Sequence, residues 1–174
     1  HKKIGDGEKG LNTGGMGVLA PNPQFTKEHY EVFKKEILDT TLDGLLKEEL
    51  IFSGVIFFGL MITSKGVYLL EYNLRMGDPE AQATLPLLKN DLFETVMKSN
   101  RGESFELNFS NQKSCCVVMV SGGYPLSYEK GYEIRGLENV KCPYFLAGAQ
   151  MRDEKIVTAG GRVLGVVGLG ETMA

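Results

Sequence analysis

The chain has 174 residues, 43% hydrophobic and 24% charged, a balance that suits a folded protein and excludes a disordered one. Its 19 basic and 22 acidic residues leave a net charge of −3 spread along the sequence, which argues against a nucleic-acid surface or a polybasic membrane patch. Glycine is the outlier: 22 residues, falling in clusters, mark loops whose backbone must approach a neighbour closely.

Residues 1–24 read as a loop, with glycines at 5, 7, 10, 14, 15 and 17 followed by Pro21-Asn22-Pro23. Thr26 is placed to cap a helix over 27–48, in which Tyr30, Phe33, Ile37, Leu38, Thr41 and Leu45 recur at helical spacing. From Ile51 to Thr63 nearly every position is apolar, the pattern of a strand covered on both faces. Ser64-Lys65-Gly66 is a turn, and the stretch from Val67 to Asn73 is the returning strand of a hairpin. A second helical stretch starts at Asp78-Pro79 and runs through Leu85, Leu88, Leu92 and Val96 around Pro86. A polar hinge covers 100–103 and 108–113, and short strands separated by glycine turns follow at 115–120, 132–134, 144–147, 155–158 and 162–167. The expected fold class is α+β: antiparallel sheet with helices over 1–112, then a small, mostly β domain over 113–174.

Three cysteines without a CxxC pair, and only two histidines, give neither a secreted disulfide framework nor a zinc site. Cys115 and Cys116 lie in an apolar run and read as buried strand residues. The longest apolar run, 54–63, is too short for a bilayer, which takes about 20 residues, and the polar start resembles no signal peptide. A cytoplasmic location is expected. The sequence opens on His1 within a Gly-rich loop and stops at Ala174 where a helix would begin, so we expect a piece of a longer protein.

Strand side chains alternate, which places Val67, Leu69, Glu71 and Asn73 on one face and Tyr68, Leu70 and Tyr72 on the other. If the strand continues to Arg75, the first face ends in carboxylate, amide and guanidinium. A carboxylate and an amide oxygen two residues apart suit Mg²⁺, which takes few protein ligands beside phosphates and waters. A strand end emerging into solvent, with a weak Glu71–Arg75 surface pair, accounts for the same residues. Against that second reading, an unpaired carboxylate inside an apolar hairpin is costly. Met76-Gly77-Asp78-Pro79-Glu80 is either a substrate contact through its acids or simply a well-built helix start with Asp78 as the cap. Asn12-Thr13-Gly14-Gly15-Met16-Gly17 offers backbone N–H groups for an anion nest, or merely connects two elements. It is neither a GxxxxGK[ST] loop nor a GxGxxG turn.

In combination these segments carry a resemblance. His1-Lys2-Lys3-Ile4-Gly5-Asp6, the 12–17 loop and the run from Glu71 to Glu80 closely resemble the phosphoribosylamine–glycine ligases, ATP-grasp enzymes of purine synthesis also called glycinamide ribonucleotide synthetases. Gly122-Gly123-Tyr124-Pro125 and the stretch from Thr158 to Leu164 look like the C-terminal domain of the same family. The resemblance implies the second half of an ATP-grasp domain followed by that C-terminal domain. It implies ATP as co-substrate, Mg²⁺ or Mn²⁺, and ligation of glycine to 5-phosphoribosylamine through a glycyl phosphate. Glu71 and Asn73 would hold the metal and Arg75 would stabilise the transferring charge. Asp6, Asn12, Thr13, Gly14, Gly15, Met16, Gly17, Asp78 and Glu80 would lie on the substrate side. The family's ATP clasp and adenine-binding residues have no counterpart in this sequence. Two other readings stay open: a sister ATP-grasp ligase or carboxylase using the same metal strand, and a non-catalytic assembly module.

Overall fold

A computed structural model describes residues 1–173; Ala174, the last residue of the expected β domain, lies outside the described residues. In chain order the strands are β1 (Lys3–Gly5), β2 (Lys9–Asn12), β3 (Gly17–Ala20), β4 (Phe57–Thr63), β5 (Gly66–Asn73), β6 (Lys113–Val120), β7 (Tyr144–Leu146), β8 (Ala149–Arg152), β9 (Lys155–Thr158) and β10 (Arg162–Gly170). The α-helices are α1 (Lys27–Val32), α2 (Asp39–Lys47), α3 (Glu80–Thr84) and α4 (Leu92–Asn100). All sheet pairings are antiparallel, and the α+β class expected from the sequence holds. Two compact units form: one from residues 1–21, 78–87 and 110 onward, the other from 22–77 and 88–109. Among the described residues, no helix is long and apolar enough to cross a membrane.

The first unit is built on a four-stranded sheet of order β3-β6-β10-β7. The N-terminal stretch is therefore not all loop: β1 pairs with β2, and β3 pairs with β6 through Val18 opposite Cys116. These strands escape a pattern search because they are short and glycine-bearing. Gly17 is required there, since a Cβ would sit 2.7 Å from the Cys116 carbonyl oxygen. The core gathers Ala20, Ala83, Leu87, Cys116 and Val167, with Val18 packed against it. Along β6, Ser114, Cys116 and Val118 are buried, whereas Val117 and Met119 are more than half exposed at 57% and 55%. The apolar run thus has one covered face, and of the two adjacent cysteines only Cys116 is fully buried; Cys115 is half-buried. The stretch expected as a strand at 132–134 reduces to one antiparallel bridge, Glu133 to Val157, and β9 also pairs with β8. Around that bridge the Thr158 N–H donates to the Tyr132 carbonyl and the Ile134 N–H to the Ile156 carbonyl, both at 2.8 Å. The β8–β9 turn places Asp153 and Glu154 in the left-handed region, at φ 48° and 61°. Two non-glycine residues in such a turn leave no sequence signal for it.

In the second unit α1 and α2 are joined by a π-helical segment, Phe33–Leu38, so the helical stretch expected over 27–48 is present with a wide turn at its centre. Thr26 caps it: Thr26 Oγ1 accepts from the His29 N–H at 3.3 Å, and His29 Nδ1 accepts from the Thr26 N–H at 3.2 Å. The strand expected from Ile51 begins only at Phe57. Residues 51–55 are exposed, Ile51 at 86%, and no sheet covers them. The β4–β5 hairpin is covered on one face, where Phe58 makes edge contacts with Phe33 at 5.2 Å and with Tyr72 at 5.5 Å. Its other face carries the half-exposed Met61 and Tyr68. The helix expected from Asp78 to Val96 is two helices: a 3₁₀ turn at Leu85–Leu87, containing Pro86, ends α3, and Asp91 caps α4 by accepting from the Glu94 N–H at 2.9 Å.

Candidate functional site

Glu71, Asn73 and Arg75 belong to the second unit. The β4–β5 register pairs Gly59 with Glu71 and Leu60 with Leu69, so Leu70 has no partner and forms a β-bulge. Directly opposite residues share a face, and one extra residue reverses the alternation beyond it. Val67 and Leu69 therefore lie with Leu60 and Ile62 on the helix-covered face, and Tyr72 joins Phe58 there. Glu71 and Asn73 lie on the open face with Gly59 and Phe57. The two share a face as expected, but not the face of Val67 and Leu69. The Thr41 and Tyr72 hydroxyls, 2.8 Å apart, fix the reversed parity. Glu71 is exposed, so no burial cost attaches to its carboxylate.

The strand stops at Asn73, and Arg75 reaches back from the loop beyond it. Its NH1 donates to the Met76 carbonyl at 2.8 Å and its NH2 to Asn73 Oδ1 at 3.3 Å. Amide and guanidinium are thus brought together, while the Glu71 carboxylate shares the face of Asn73 without a Glu71–Arg75 ion pair among the described residues. Glu71 crosses the strand over Gly59, where a Cβ would come within 2.9 Å of Glu71 Cγ. A carboxylate and an amide oxygen on one open face fit a hard divalent ion that takes its remaining ligands from phosphate and water. No group of three or more His, Cys, Asp or Glu side chains among the described residues is arranged to hold a metal.

The other candidates belong to the first unit, and Arg162 of β10 organises them. Its NH1 donates to the carbonyls of Gly14 at 2.9 Å and Asp78 at 2.8 Å, and its NH2 pairs with Asp78 Oδ2 at 3.0 Å. Asp78 Oδ1 accepts from Gln82 Nε2 at 2.8 Å. Asp78 is consequently not the cap of α3; Pro79 occupies that position without a side-chain cap. Both loop glycines are needed for this contact. A Cβ on Gly14 would lie 2.9 Å from Arg162 Cζ, and one on Gly15, at φ +119°, would lie 2.6 Å from Pro79 Cδ.

The anion nest does not form, because the loop spends its donors internally. The N–H groups of Thr13 and Met16 donate to the carbonyls of Lys2 and His1, both at 2.7 Å, and those of Gly14 and Gly15 to the Tyr124 hydroxyl and Thr13 Oγ1, both at 3.0 Å. Glu80 is half-buried in the first turn of α3. Asp6 is exposed in the β1–β2 turn and shares a cavity of about 480 Å³ with Met16 and Gly17. Under this group, burial pushes the Cys116 thiol up to about 11, and the charges of Cys115, Asp78 and Glu80 act in the same direction. Sequence reasoning missed Gly59, whose only signal was a lone glycine in a strand pattern. It also missed Gln82, Tyr124 and Arg162 as partners; Tyr124 and Arg162 lie in the stretches that carry the C-domain resemblance, but no local signal shows what they contact.

Comparison with known proteins agrees with this arrangement of motifs. Residues 1–81 match the family model for the phosphoribosylglycinamide synthetase ATP-grasp (A) domain, and residues 114–174 match that for the phosphoribosylglycinamide synthetase C domain. The phosphoribosylamine–glycine ligase of Fusobacterium nucleatum is 47% identical over 99% of this chain and 42% of its own length. That of Clostridium acetobutylicum is 48% identical over 94% of this chain and 40% of its own. The crystal structure of the Thermotoga maritima phosphoribosylamine–glycine ligase superposes with a TM-score of 0.84 at 38% identity, covering 99% of this chain and 43% of that one. The chain thus spans about 40% of the length of the curated relatives it matches. It belongs to the phosphoribosylglycinamide synthetase family, with a portion of the ATP-grasp A domain followed by the C domain.

Proposed function

We propose that this chain supplies the metal-binding wall of an ATP-dependent phosphoribosylamine–glycine ligase. In that reaction the glycine carboxylate attacks the γ-phosphorus of ATP, giving glycyl phosphate and ADP. The amine of 5-phosphoribosylamine then displaces phosphate, giving glycinamide ribonucleotide. Mg²⁺ or Mn²⁺, held by Glu71 and Asn73, would supply charge neutralisation at the ATP phosphates. Arg75 presents a planar fork steadied by the Met76 carbonyl, suited to the negative charge that grows on the transferring group. Asp6, the 12–17 loop, Asp78 and Glu80 serve the substrate side. With its N–H groups already engaged, the loop offers side chains and carbonyls there instead of an anion nest.

The observation that carries this reading is the open hairpin face shared by Glu71 and Asn73, with the Arg75 guanidinium on the Asn73 amide oxygen. The limits of the two family matches, 81 and 114, bracket a domain division at 112/113, which we adopt. A cytoplasmic location accords with the three free cysteines. The test is Glu71→Gln in the complete ligase: turnover is expected to fall by about 100-fold or more with an unchanged melting temperature. Near-normal turnover at saturating Mg²⁺ removes Glu71 from the metal.

A further inference from the structure

Gly59 stands in the interior of β4, where glycine ordinarily weakens a strand because it has no side chain to pack and loses the most backbone freedom. Its backbone does not call for glycine: it is absent from the positive-φ residues, unlike Gly54 and Gly66 on either side of the strand. Every other residue of β4 carries a side chain, in the order Phe57, Phe58, Leu60, Met61, Ile62, Thr63. Space is the remaining reason. Gly59 lies directly opposite Glu71 on the open face, and a Cβ there would come to 2.9 Å from Glu71 Cγ, 3.5 Å from the Glu71 carbonyl oxygen and 3.6 Å from Oε1. The closest clash is with Cγ, one bond from the Cβ that the strand holds fixed. Glu71 cannot relieve it by swinging its carboxylate alone; the whole side chain must leave its rotamer.

We propose that Gly59 is a positioning residue, the cradle in which the Glu71 side chain lies so that its carboxylate and the Asn73 amide oxygen face one cation. The bulge at Leu70 sets which face Glu71 occupies, and Gly59 sets how its side chain lies on that face. This inference rests on the reading of Glu71 as a metal ligand. Its effect on the ion is indirect, like that of other groups that orient a ligand without touching the metal.

The test is Mn²⁺ titration of the 174-residue chain, read as paramagnetic broadening of the Tyr72 and Asn73 backbone amide signals, with thermal melting in parallel. Gly59→Ala is expected to melt at the same temperature or higher, since alanine is the better strand residue, and to need about tenfold more Mn²⁺ for half-broadening. Glu71→Gln is expected to abolish the localised broadening. Broadening unchanged by Gly59→Ala but lost in Glu71→Gln overturns the cradle while leaving the metal ligand in place. A Gly59→Ala chain that melts well below the parent makes Gly59 a folding residue and also overturns the proposal. Broadening that survives Glu71→Gln, or never appears in the unsubstituted chain, removes the metal reading itself.

Discussion

Cys116 shows how one buried residue records the charges around it. It is fully enclosed, its sulfur packs beneath Gly165, and Asp78 and Glu80 both add to the rise of its thiol to about 11. A thiol is neutral when protonated, so folding favours the protonated form. An unfolded cysteine titrates near pH 8.5. Between the two values the unfolded chain has released a proton that the folded chain still holds, and stability falls as pH rises. The loss expected over pH 8.5–11 is on the order of 3 kcal/mol. Denaturant midpoints measured at pH 8 and pH 10.5 check this: the drop should be clearly smaller in Cys116→Ala than in the parent. Equal drops would mean that the thiol titrates as it does in water. At this scale the sequence showed a buried cysteine pair, but not which member faces the core. That choice follows from the pairing of β6 with β3 and β10, which no local pattern reveals.

For the elements, the hairpin is the instructive case. The turn at 64–66, both strands and the shared face of Glu71 and Asn73 were legible from period-two alternation and glycine placement. The bulge was not, because Leu70 is as good a strand residue as its neighbours. The extent of β4 also misled. Apolar residues at 51–55 look like strand, yet they remain exposed and unpaired. By contrast, the helical stretch at 27–47 was legible because cap and apolar spacing agree, although the π-helical turn at Phe33–Leu38 gave no sign. Deleting Leu70 tests the role assigned to the bulge. Without the extra residue Glu71 follows Leu69 directly and still lies opposite Gly59, so regular alternation keeps Glu71 and Asn73 on the open face and Tyr72 against Thr41 and Phe58. The deletion variant should therefore melt close to the parent and retain localised Mn²⁺ broadening. A melting temperature far below the parent, or loss of the broadening, would show that Leu70 is more than an extra residue in an otherwise regular ladder.

Over the whole molecule, chain order and spatial order part company. The first unit is assembled from three separate segments, so the Gly-rich loop, the Asp78-Pro79 corner and the strand bearing Arg162 meet only after folding. The sequence displayed each as a separate motif; it could not show that one guanidinium ties them, because the partners lie 148 and 84 residues away. Tyr124 and Ser121 secure the same corner from a fourth stretch: the Tyr124 hydroxyl accepts from the Gly14 N–H, and Ser121 Oγ donates to the Gly160 carbonyl at 2.8 Å. If Arg162 is the tie, Arg162→Met should keep the aliphatic stem and remove its three charge-assisted bonds. Asp78 is half exposed, so water takes over part of its hydrogen bonding and Gln82 retains the rest. The expected loss of stability is therefore about 1–2 kcal/mol, short of the cost of a buried charge. The sharper effect should be local. Amide exchange at Thr13 to Met16 should accelerate by at least about tenfold, since a loop released from its tie opens more often than the sheet beneath it. Hydrogen exchange read residue by residue checks this against β6 and β10. Uniform acceleration across the unit would make Arg162 an ordinary stability residue, and unchanged exchange at 13–16 would show that Tyr124 and the Lys2 carbonyl hold the loop without it.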